Sequence, residues 1–216
     1  MTQDNLFREI DEDIERQKIE AFWKRYGNVV LVIAAITVLA ASVFSYKNKE
    51  KVAKTQQLTG ELAAIMDETE KNETKEITDL QLFAQDNPGR TQTTYAELQA
   101  AALLAKNGDT DKAVALYDLV AQDEKADHAY RQLGDLFSVE LQLDKGEPAP
   151  LQRRLEPLMS DNEPWHFSAM ELSGYLSLRA GDKASATRIF TSLAQDARVP
   201  QTISLRAGDM VRLLSE

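Results

Sequence analysis

The sequence predicts an all-α chain, with one N-terminal membrane-spanning helix followed by a solenoid of stacked helical hairpins. Three observations carry that prediction. No charged residue lies between Tyr26 and Tyr46. Only nine glycines and six prolines interrupt 216 residues otherwise rich in Ala, Leu, Glu and Gln, which favours helix over sheet. A 16-residue segment, Gly108–Asp123, also lines up without gaps on Gly181–Asp196, 73 residues later.

The first element is a charged tail, residues 1–27, holding twelve charged side chains, seven of them acidic. Leu6, Ile10 and Ile14 form a thin apolar line at spacing four, on a helix that is either a solvated extension or docks onto a cytoplasmic partner or the membrane surface. The span itself is placed at 28–46. Its run Val29–Tyr46 has 18 residues and would rise about 27 Å as a helix, close to the roughly 30 Å hydrocarbon core. Trp23, Tyr26 and Tyr46 flank it, where aromatic rings suit the headgroup level. A cleaved signal would begin with a short basic stretch, and the acidic tail argues instead for an uncleaved anchor. Positive charge is nearly balanced across the span: Arg8, Arg16, Lys18, Lys24 and Arg25 before it, Lys47, Lys49, Lys51 and Lys54 after it. The cost of moving the charged tail through a bilayer decides the orientation, leaving the tail cytoplasmic and the 170 remaining residues exported.

Residues 47–90 are expected to form a helical linker and first hairpin. One helix runs to about Asp67, with Val52, Leu58, Leu62 and Ile65 on its buried side. A second covers roughly 75–86 and stops at Asn87-Pro88-Gly89. Residues 91–216 are the repeat domain, with hairpins at about 91–122, 127–159 and 164–196 and a capping helix over Pro200–Leu214. In the self-aligned segment, Gly108/Gly181 and Asp109/Asp182 read as tight helix–helix turns, the glycine taking positive φ and the Asp capping the next helix. Ala113/Ala186 let the paired helix approach closely, and Tyr117/Phe190 with Val120/Leu193 share its packing face. A second pair follows, Leu133-Gly134-Asp135-Leu136-Phe137 against Ala207-Gly208-Asp209-Met210-Val211.

The Gly-Asp turn, the alanine four to five residues on and the aromatic four beyond that resemble the second half of a tetratricopeptide repeat. Tyr130, Leu133, Gly134 and Phe137 match the aromatic, Leu, Gly and aromatic positions of the repeat's first helix. The match is divergent. Gly146, Pro148, Pro150 and Pro157 interrupt one second half, and Ser177 stands where an aromatic is usual.

Composition excludes several chemistries. There is no cysteine, so no disulfide, thiolate metal site or cysteine nucleophile. Two isolated histidines, His128 and His166, are expected at surface or packing positions, and Trp165 in helix-entry packing. A net charge of −10 opposes nucleic-acid binding. No phosphate loop, zinc signature or nucleophile elbow occurs, and acid runs such as Asp11-Glu12-Asp13 lack the loop of a calcium site. Asn72-Glu73-Thr74 is a formal glycosylation acceptor that matters only in a eukaryotic secretory route. No catalytic residue, metal, cofactor or small-molecule substrate is therefore expected, the alternative class being an enzyme with no recognisable motif, built from scattered carboxylates. A scaffold that binds protein is expected instead, through the first helices of its hairpins, around 95–105, 130–140 and 168–178. Gln99, Gln132 and Glu171 are expected to be exposed there for polar, transient contact.

The tail Phe7–Gln17, the edge Trp23–Gly27, the single anchor and the divergent repeats together resemble the ancillary subunit of the SecYEG translocon (YfgM type). Its repeat domain is shared with the cell-division coordinator CpoB. The resemblance implies a single-pass protein of the bacterial inner membrane with periplasmic repeats, associated with SecYEG and with periplasmic chaperones. A cell-division or envelope-assembly role is the alternative it implies.

Overall fold

The computed structural model describes residues 46–47, 49–67 and 72–215. The expected tail (1–27) and the span 28–46, apart from Tyr46, lie outside the described residues. Among those described, no helix is long and apolar enough to cross a membrane. The chain divides into two units, 1–58 and 59–216. In the first, residues 49–58 are helical; Leu58 is buried, but Val52, expected on the buried side, is exposed.

Every element described in the second unit is helical. After α1 (59–67), whose Leu62 is buried and Ile65 half-buried, come α2 (Glu73–Asp86), α3 (Thr91–Lys106), α4 (Thr110–Gln122) and α5 (His128–Gln142). They are followed by α6 (Pro148–Leu155) with a 3₁₀ turn (Glu156–Met159), then α7 (His166–Arg179), α8 (Lys183–Gln195) and α9 (Gln201–Ser215). Successive helices pack on one another, so the three expected hairpins are α3–α4, α5–α6 and α7–α8, with α9 closing on α8.

Local chemistry explains the boundaries. Asn72 caps α2, its Oδ1 accepting the Lys75 amide at 3.3 Å. The helix ends where Asn87 Nδ2 bonds the Phe83 carbonyl at 3.0 Å and Gly89 takes φ +69°. Gly108 and Gly181 sit at φ +83° and +79°, as the turns require. The two aspartates beside them differ. Asp182 Oδ1 accepts the Ser185 amide at 2.9 Å, a true N-cap. Asp109 makes no such bond and pairs instead with Lys112 Nζ at 3.1 Å, correcting half of the capping expectation. Pro148 starts α6, where its missing N–H costs nothing, and Pro157 falls in the 3₁₀ turn that ends this hairpin early.

The repeat signature forms the core. Ala113, Ala186 and Phe190 are fully buried, as are Val120 and Leu193 to within a per cent. Tyr117 stacks tilted on Phe137 with centroids 5.3 Å apart, and Tyr175 meets Phe190 edge-on at 5.1 Å. Gly134 is where α5 crosses α4: a Cβ there would stand 2.7 Å from the Tyr117 carbonyl oxygen and 3.0 Å from the Ala121 nitrogen. Gly174 does the same work in α7, facing the Phe190 ring.

Gly208 does not play the part of Gly134, since nothing approaches its would-be Cβ within 4 Å. The 73-residue spacing of the turns places Ala207 at that position instead, and Ala207 is fully buried. The apparent Gly-Asp match in α9 is thus one residue out of register.

Polar bonds join neighbouring hairpins. Arg154 of α6 reaches Asp118 of α4 and Asp135 of α5, both at 2.7 Å, with Ser138 at 3.2 Å. Gln152 of α6 bonds the Ser173 carbonyl and the Ser177 hydroxyl of α7, each at 3.0 Å. Ser177, standing where an aromatic is usual, is therefore buried but satisfied.

Candidate functional site

The first helices of the hairpins, α3 and α5, hold between them a groove of about 450 Å³ whose floor is completed by Tyr117 of α4. Helical periodicity builds it. From α3, Tyr95, Leu98, Gln99 and Ala102 line one wall at three- and four-residue steps; from α5, Tyr130, Leu133, Phe137, Glu140 and Leu141 line the other. The lining is mainly apolar, and Tyr95 is among the large side chains left open to water. Tyr95 and Leu98 precede Tyr130 and Leu133 by 35 residues each, a spacing that sequence could have shown.

The electrostatics are as simple as the shape. Glu140 is exposed at the groove's rim, yet partial desolvation by the groove walls and then the Glu171 carboxylate push its carboxyl above the usual range, with Arg206 opposing. Burial, then Glu140, likewise raises the Tyr117 phenol. Glu171 itself is held by Arg206 of α9 in a two-pronged pair, Nε to Oε1 at 2.7 Å and Nη2 to Oε2 at 2.6 Å. Glu140 has no ion pair among the described residues.

Of the three side chains expected on an exposed partner surface, only Gln99 lies in the groove wall, half-buried. Gln132 is 5% exposed and Glu171 7%, which corrects the expectation for both. Gln132 donates to Glu163 Oε2 at 2.6 Å and sits 3.0 Å from His128 Nε2. His128 also meets Glu163, at 2.9 Å, and hydrogen bonds to His128, then to Gln132, hold the Glu163 carboxyl below its ordinary range. These contacts, with Trp165 Nε1 donating to the Ala129 carbonyl at 2.8 Å, latch the entry of α7 to the start of α5. Trp165 is thus in helix-entry packing, as expected, His128 stands exposed at the start of α5, and His166 packs edge-on against Phe167 at 4.8 Å.

A second, polar cleft opens where α6 is short. Gln152, Ser173, Ser177, Ser185, Arg188 and Ser192 line it, enclosing about 480 Å³. Its buried Ser173 hydroxyl donates to Gln152, its Ser177 hydroxyl accepts from Gln152 and donates to the Ser173 carbonyl, and Asp182, also in the lining, is engaged in capping α8. Among the described residues, no three His, Cys, Asp or Glu side chains are grouped to hold a metal.

The groove lies between the first helices of successive hairpins, the first of which turns at Gly108-Asp109, and Gly134 of α5 sits against the backbone of α4; this is tetratricopeptide geometry. The model of the tetratricopeptide repeat-like domain matches residues 20–206. The chain belongs to this family. The match takes in the uncharged run before the repeats as well as the hairpins themselves. No curated protein and no solved structure matches the chain. A tetratricopeptide repeat-like domain is typically a non-catalytic protein-interaction module, and the apolar groove is the candidate site for that role.

Proposed function

We propose that the protein is a membrane-anchored scaffold of the bacterial inner membrane, with a cytoplasmic tail and periplasmic repeats. In this reading it is ancillary to the SecYEG translocon and links it to periplasmic chaperones or envelope proteins. The observation that carries the binding role is the apolar groove between α3 and α5, open to water and walled by Tyr95, Leu98, Leu133 and Phe137. Such an apolar surface on an otherwise acidic domain marks an interaction site. The uncharged run 28–46 supports the anchor, and the twelve charges before it support the orientation. Tethering confines the domain beside other membrane complexes and raises its effective concentration there, so that a modest groove suffices for transient capture.

The test has two parts. Protease added to spheroplasts should digest the repeats, and alkaline carbonate should leave the protein in the membrane; release by carbonate would end the anchored reading. A photocrosslinking amino acid at Tyr95 or Phe137 in intact cells should then trap translocon subunits or chaperones. Recovery of division proteins instead would assign the chain to the cell-division alternative.

A further inference from the structure

We propose that the groove between α3 and α5 recognises a polypeptide segment in which an aliphatic or aromatic face carries a lysine or arginine, the cation seating on Glu140. The proposal rests on the binding role given to the groove above and deepens it by naming the chemistry of the occupant. Apolar side chains from both walls define what lies on the floor: Leu98 and Ala102 on α3, Leu133, Phe137 and Leu141 on α5. What meets the rim is defined by charge. The ionisable groups facing Glu140 from the neighbouring helices are Tyr117, Glu171 and Arg206. Arg206 is already engaged, both of its donors committed to Glu171 at 2.6 and 2.7 Å. Two carboxylates and one guanidinium leave one negative charge over, and it sits on Glu140 at the mouth of an apolar groove.

Glu140 is exposed at the rim of the groove, where partial desolvation and the Glu171 carboxylate disfavour its ionised form. A cation delivered by the partner removes that penalty, whereas an acidic partner adds to it. The groove is therefore selective by attraction and by repulsion at once. Tyr95, Tyr130 and Phe137 reinforce the choice, because aromatic faces attract the ammonium or guanidinium as it approaches.

The experiment measures fluorescence anisotropy of the full-length protein in mild detergent with three labelled peptides. These are a leucine–alanine helix carrying one central lysine, and the same peptide with glutamine or glutamate there. The lysine peptide should bind about fivefold tighter than the glutamine peptide, and the glutamate peptide weakest. Glu140→Gln should abolish the lysine preference, and Glu140→Lys should transfer it to the glutamate peptide. Glu124→Gln, at an exposed acid outside the groove, should leave it intact and so removes general attraction to an acidic chain as the cause. If the three peptides bind equally and Glu140→Gln changes nothing, the charge proposal is overturned while the groove reading stands. If none binds, the groove reading falls with it.

Discussion

Alanine at two glycines of the repeat domain should act in opposite directions. At Gly134 the new Cβ would lie 2.7 Å from the Tyr117 oxygen, about 0.7 Å short of the 3.4 Å at which ordinary contact begins, and 3.0 Å from the Ala121 nitrogen. Both neighbours are backbone, so no side chain can swing aside; α4 and α5 must part. Overpacking of that kind costs about 1–3 kcal/mol. Against it stands the gain of replacing glycine in a helix interior, up to about 1 kcal/mol. The net for Gly134→Ala is a loss of about 1–2 kcal/mol, or roughly 2–8 °C in Tm for a domain of this size. Gly208 lies in α9 with nothing within 4 Å of its would-be Cβ, so Gly208→Ala keeps the helix gain without the clash and should stabilise by about 0.5–1 kcal/mol. Thermal melts followed by far-UV circular dichroism on both variants decide it. Gly134→Ala melting at or above the parent would mean that α4 and α5 do not approach as closely as described.

Gly181→Val should destabilise by about 1–2 kcal/mol although nothing crowds the site, because φ +79° is costly for a branched residue; an unchanged Tm would misplace the turn. Trp165→Phe keeps the ring's packing but loses the bond to the Ala129 carbonyl, and should cost about 1 kcal/mol by urea denaturation. Asp196 is held down to about 2 by its hydrogen bonds to Arg198. Its folded pKa lies below the unfolded value, so its stabilising effect is present above about pH 4 and fades as the pH falls to about 2. Asp196→Asn should therefore melt below the parent at neutral pH, and the two curves of Tm against pH should converge near pH 2.

The hairpins were legible because their signals are local. A Gly-Asp pair placed where the apolar period breaks announces a turn, and Gly108 and Gly181 hold the dihedrals that this requires, whereas Gly134-Asp135 and Gly208-Asp209, within unbroken periods, lie inside α5 and α9. Prolines 148 and 157 announced a shortened helix in the same way. Residues settled by distant partners were not legible. Gln132 and Glu171 look like solvent-facing polar positions in a helix, yet each is buried by a partner more than 30 residues away, Glu163 and Arg206. The register of α9 was misread for a related reason. Matching Gly208 to Gly134 follows letter identity, whereas contact geometry follows the spacing and uses Ala207. Half of the groove was visible, since Tyr130, Leu133 and Phe137 belong to the repeat signature. Glu140 was not, because its meaning depends on Arg206 being occupied elsewhere.

Five of the bonds that fasten one hairpin to the next share a reach. Gln132 to Glu163, Arg154 to Asp118, Trp165 to Ala129, Arg179 to the Leu143 carbonyl and Arg206 to Glu171 span 31 to 36 residues each. That is about one repeat, so each bond is a stitch between adjacent repeats. A molecule stitched in this way can assemble like a zip, each hairpin docking on the one already in place, without waiting for remote ends of the chain to meet. It can also fail at a single seam. Cutting the stitches of α6 at Arg154 and Gln152 should let the α7–α9 end exchange its amide hydrogens early while α2–α5 stays protected, which turns one melting transition into two.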